Sequence, residues 1–180
     1  MHIYRSALLW TPTSSLTKEL YESKLMIETK LLNAVETAWD ACIRTIPLGW
    51  RARELVFSPS SALMAAHAGH CAKVFDTVTG VNRATFNEEE PIHSVTFSPD
   101  DVLLASGLED GTIDVWDVPT GTLFQMFRGH TGVVCSVAFS SCQTIIASGG
   151  YDKTIRIWNI LSGCCDRVLE GHSRVVRDVC

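Results

Sequence analysis

The stretch SGGYDKTIRIWN, Ser148–Asn159, decides the fold. It holds a serine and an aspartate four residues apart, with His130 upstream, so a Ser-His-Asp catalytic site and a purely structural arrangement compete for the same side chains. Within it, TIRIW alternates. Ile155 and Ile157 point one way and Arg156 and Trp158 the other, as side chains do along a strand. Both faces carry bulk, so both need cover.

Working outward, the stretch is one copy of a repeating unit. VFSPS (Val56–Ser60), TFSPD (Thr96–Asp100) and AFSSC (Ala138–Cys142) place Phe57, Phe97 and Phe139 at intervals of 40 and 42 residues. KVFDTVTG, DVWDVPTG and RIWNILSG end at Gly80, Gly121 and Gly163, with Phe75, Trp116 and Trp158 spaced by 41 and 42. Gly129-His130 and Gly171-His172 are again 42 apart. Between these landmarks run short β-branched or apolar segments split by Pro, Asp and Gly, such as 102–106, 112–116 and 123–127. Each unit therefore carries four strands.

A four-stranded unit of 40 to 45 residues, covered on both faces by its own copies, is the pattern of a β-propeller blade. Through the GH pair, the VWD and IWN strand ends and the FSPD turn, residues from about Trp50 to Cys180 resemble the WD-repeat family. The resemblance implies an all-β, partial propeller of about three four-stranded blades plus the start of a fourth. Repeats are expected at about 50–88, 89–129 and 130–171, with the next beginning at 172–180. It further implies a hydrogen-bonded structural tetrad of His130, Ser148, Asp152 and Trp158. A turn carboxylate can accept from imidazole, and a serine can bridge imidazole to indole, so every member is satisfied. A hydrolase needs the opposite, an open nucleophile beside an oxyanion hole. No G-x-S-x-G elbow surrounds Ser148. Structure is the favoured reading and a hydrolase the remote one.

The middle repeat supplies a partial tetrad, Ser106, Asp110 and Trp116, but FNEEEPIH offers no matching histidine. In the first repeat Phe75 stands in the indole's place and HAGH where the turn aspartate belongs. Partner contacts in the family often come from one rim, at the first-strand position four before each landmark phenylalanine and the residue before the turn aspartate. Here the matching positions are Arg53, His93, Cys135 and, by period, Arg177, with Glu109 and Tyr151. The expected function is a non-catalytic scaffold for protein–protein interaction.

Other chemistries have less support. His67, His70 and Cys71 could ligate zinc, but no partner pair stands at metal-ligand spacing. Cys164 and Cys165, with His172, face opposite ways along a strand. No metal or other cofactor is expected. NEEE, Asn87–Glu90, reads as a solvated acidic loop. P-loop and dinucleotide-binding motifs are missing. Net charge is −5 with scattered basic residues, which leaves no footprint for nucleic acid. The 46% hydrophobic content suits a folded core, yet no apolar run reaches membrane-spanning length. Seven cysteines without C-x-x-C spacing or a preceding signal peptide read as reduced thiols, hence a cytoplasmic location.

Residues 1–49 form an N-terminal linker segment. Leu16, Leu20, Ile27, Leu31 and Val35, up to Trp39, predict a helix, and CIRTIPL a strand ended by Pro47. HIYRSALLWTPTSSL is similar to the segment leading into the propeller of fungal NACHT-type NTPases with WD repeats. That implies an alternative, the sensor end of a larger signalling NTPase. Because the sequence stops inside a fourth unit, a longer natural protein is expected, or else self-association through open propeller edges.

Overall fold

The computed structural model describes Thr45, Ile46, Leu48 and residues 50–180. The helix expected before Trp39 lies outside these residues, as does most of the CIRTIPL strand. Thr45, Ile46 and Leu48 belong to no strand. Leu48–Cys180 is one compact unit.

It contains twelve strands in three antiparallel sheets of four, each in simple sequence order. The first is β1 (Glu54–Phe57), β2 (Leu63–Ala68), β3 (Cys71–Asp76) and β4 (Asn82–Asn87). The second is β5 (Ile92–Phe97), β6 (Leu103–Leu108), β7 (Ile113–Asp117) and β8 (Thr122–Phe127). The third is β9 (Val134–Phe139), β10 (Ile145–Gly150), β11 (Ile155–Asn159) and β12 (Cys164–Leu169).

The sequence landmarks are turn chemistry. In the turn from first to second strand, a serine hydroxyl accepts the backbone N–H five residues on. These bonds are Leu63 to Ser58 at 3.1 Å, Leu103 to Ser98 at 2.8 Å and Ile145 to Ser140 at 3.3 Å. In the turn from third to fourth strand, Asp76, Asp117 and Asn159 accept backbone N–H groups two or three residues ahead. Each of these turns closes on a glycine at φ 71°, Gly80, Gly121 or Gly163, a left-handed position that costs a side chain energy.

Packing between sheets explains why both strand faces are apolar. One core joins the first two sheets through Val74, Phe86, Ile92, Phe97 and Leu104. A second joins the middle and last through Ile113, Phe127, Val134, Val137, Ile146 and Trp158. Close approach is needed at Gly107, where an added Cβ would lie 2.8 Å from Val134 and 3.0 Å from Val137. Gly149 repeats the arrangement with Val176 at 2.5 Å and Val179 at 3.2 Å. The segment after β12 therefore lies on the third sheet much as β9 lies on the second. Its Asp178 accepts from Ser136, one 42-residue period earlier, at 3.0 Å.

Candidate functional site

The residues of the opening stretch meet inside the third sheet. Trp158 Nε1 donates to Ser148 Oγ at 2.8 Å, Ser148 Oγ lies 2.7 Å from His130 Nε2, and His130 Nδ1 lies 2.8 Å from Asp152 Oδ2. Only one proton arrangement satisfies every group. Indole can only donate, so the serine hydroxyl hydrogen goes to Nε2, and Nδ1–H goes to the carboxylate. The imidazole is thus neutral. Burial lowers the His130 pKa, against the pull of Asp152. Burial alone would raise Asp152, but the N–H and hydroxyl of Thr154, with His130 and the Thr131 N–H, hold its pKa at about 2.

The connectivity is that of a hydrolytic triad; the access is not. Ser148 is 0% exposed and its oxygen already accepts the indole hydrogen. Trp158 and the side chains of His130 and Asp152 are buried with it. A substrate carbonyl has no route to this oxygen without opening the sheet.

The middle sheet solves the same problem with a residue the sequence reading missed. Glu88 Oε1 accepts from Ser106 Oγ and from Trp116 Nε1, both at 2.7 Å. It stands 18 residues before Ser106, as His130 stands 18 before Ser148. Asp110 stays in its own turn, accepting from the N–H and hydroxyl of Thr112 at 2.8 and 2.6 Å. The partial tetrad is therefore Glu88, Ser106 and Trp116, with Asp110 apart. The solvated reading of NEEE is corrected for Glu88, which is buried, whereas Glu89 and Glu90 are exposed. The fixed spacing to the serine was the signal that could have found it.

Glu88 has a buried acidic neighbour. Asp114, paired across the strand from Ser106, is 5% exposed, and its Oδ1 has no partner. Burial, then the charge of Glu88 and a hydrogen bond to it, then Asp110, push the Asp114 pKa up to about 7, against the pull of Arg128. A second buried carboxyl beside Glu88 ionises only at a cost, which keeps Asp114 protonated well above the ordinary carboxylate range.

The first sheet has no such clasp. Ala66 occupies the serine position and Phe75 the indole's. His67, fully buried, stands where the later sheets have Gly107 and Gly149, with Nε2 3.3 Å from Glu54. His70 is exposed and Cys71 half-buried. Among the described residues no group of three His, Cys, Asp or Glu side chains is placed to hold a metal ion. Cys164 and Cys165 are exposed free thiols at the start of β12, and His172 is exposed beyond its end.

The proposed rim residues share one end of the sheets, because antiparallel pairing brings the start of each first strand beside the end of the second. Arg53 is exposed, and its N–H donates to His67 at 2.8 Å. His93 Nε2 lies 3.5 Å from Glu109. Cys135 is half-buried; burial raises its thiol pKa while the charge of Arg177 opposes. Tyr151 is 54% exposed, and Arg177 is exposed.

Comparison with known proteins agrees with this architecture. The family model "WD domain, G-beta repeat" matches residues 80–117 and 121–159. The chain is 36% identical over 122 residues, 68% of its length, to the vegetative incompatibility protein HET-E-1 of Podospora anserina, of which it spans 6%. It is 46% identical over 43 residues, 24% of its length, to periodic tryptophan protein 2 of Arabidopsis thaliana, of which it spans 5%. The solved structure of the RRP9 WD40 repeats superposes with a TM-score of 0.65 at 21% identity, covering 69% of this chain and 40% of that one. U3-55K gives a TM-score of 0.65 at 20% identity, with the same coverage. Repeat period, three stacked four-stranded sheets and these matches together make the chain a member of the WD-repeat β-propeller family.

Proposed function

We propose that the chain is a non-catalytic platform for protein partners, presenting the rim of Arg53, His93, Glu109, Cys135, Tyr151 and Arg177. The observation that carries this is the complete burial of Ser148 between His130 and Trp158, which spends the polar groups of the third sheet on rigidity. Rigid sheets then hold loops in place, and recognition is geometric. Exposed Arg and Tyr at the rim suit interface anchors. The six free cysteines among the described residues support a reducing, cytoplasmic setting.

A fluorophosphonate probe tests the non-catalytic reading. Ser148 should remain unlabelled in the folded protein; labelling that Ser148→Ala abolishes would restore the hydrolase. The similarity to HET-E-1 favours a second reading, the sensor end of a larger signalling NTPase. A P-loop encoded upstream in the same gene would support it.

A further inference from the structure

Charge is unevenly spread along the proposed rim. Glu89 and Glu90 are exposed between the first and second sheets, and Glu109 and Asp110 in the β6–β7 turn of the second. At the third sheet and the segment that follows it the sign reverses. Lys153, in the β10–β11 turn, and Ser173, Arg174, Val175 and Arg177, after β12, line one open groove. No carboxylate lines it, and none of its three cations is in an ion pair among the described residues. The adjacent acids are already engaged, Asp152 by His130 and Asp178 by Ser136.

Two further features fit a binding role. Lys153 holds a left-handed backbone at φ 65°, where the matching turn of the middle sheet has Gly111 at φ 91°. A side chain is thus retained at a position that favours glycine. Tyr151, two residues away, exposes more than half its surface, and Val175 offers an apolar patch amid the charges.

We propose that this groove takes an acidic peptide segment of a protein partner, its carboxylates set against Lys153, Arg174 and Arg177 and an apolar side chain against Val175. Charge complementarity carries the assignment: guanidinium forks match carboxylates, and an unpaired cation cluster attracts an anionic chain over long range. The proposal rests on the reading of the chain as a protein-binding propeller.

The test is fluorescence anisotropy of the full chain with a labelled peptide of alternating glutamate and leucine, a lysine-leucine peptide and a labelled DNA duplex. Expected are preference for the glutamate peptide, weakening with added salt, and at least tenfold loss in the Arg174→Glu/Arg177→Glu variant. Arg167→Glu, exposed on β12 outside the groove, should bind as before. Equal binding of both peptides, full binding by the double variant, or tighter binding of the duplex would overturn the proposal. If the peptide fails while Ser148 stays inert to fluorophosphonate, the groove assignment alone falls. Labelling of Ser148 would instead remove the platform reading beneath it.

Discussion

Asp152 shows how much one side chain can organise. It accepts from His130, from the backbone N–H groups of Thr131 and Thr154, and from the Thr154 hydroxyl. Asp152→Ala strands those donors and should destabilise by on the order of 3 kcal/mol. Asp110→Ala, which frees only Thr112, should cost about 1 kcal/mol. Denaturant titrations of both variants would show the difference, and equal losses would refute the ranking. The pH dependence has a definite sign here. Both His130 and Asp152 have depressed pKa values in the folded chain, so their stabilisation is fully present above the unfolded values of 6.5 and 3.8. It is lost as pH falls, first through His130 and then through Asp152 towards about 2. These roles were legible in the sequence because residue types and spacing repeat a known clasp. Glu88 was not, because a carboxylate in an acidic run reads as solvated until its partners across the sheet are placed.

At the scale of one sheet, the middle unit should respond to pH in the opposite sense. Asp114 is raised from 3.8 to about 7, so its favourable contribution is present below the unfolded value and lost as pH rises through about 7. Asp114→Asn, neutral at every pH, should abolish an alkaline loss on the order of 2 kcal/mol. Thermal melts at pH 5 and pH 8 would measure it, and an unchanged alkaline slope in the variant would exclude the carboxyl pair as its source. Strand boundaries were legible for a different reason from the pair. Ser58, Ser98 and Ser140, like Asp76, Asp117 and Asn159, close local turns, and local chemistry is visible in one sequence. Asp114 sits on a strand whose neighbours come from distant segments, and nothing in IDVWD alone shows that its carboxyl faces Glu88.

Across the whole molecule, the period predicts which side chains should be covered, and the two outer faces depart from it. Phe97 is 5% exposed, whereas Phe57, its counterpart in the first sheet, is 60% exposed. Phe86 and Phe127 are each 1% exposed, whereas Leu169 at the matching place is 41% exposed. The 180-residue chain alone should therefore associate with increasing concentration, and Phe57→Asp with Leu169→Asp should suppress this in sedimentation velocity. A wild-type chain that stays monomeric at all concentrations would contradict that expectation. The central claim, that His130, Ser148, Asp152 and Trp158 form a closed structural clasp, is tested most directly by hydrogen exchange at the Trp158 indole followed by ¹⁵N NMR. A buried indole bonded to Ser148 should exchange only through global unfolding, as slowly as the most protected amides of β10. Exchange at the rate of a free indole in the folded protein would contradict the account.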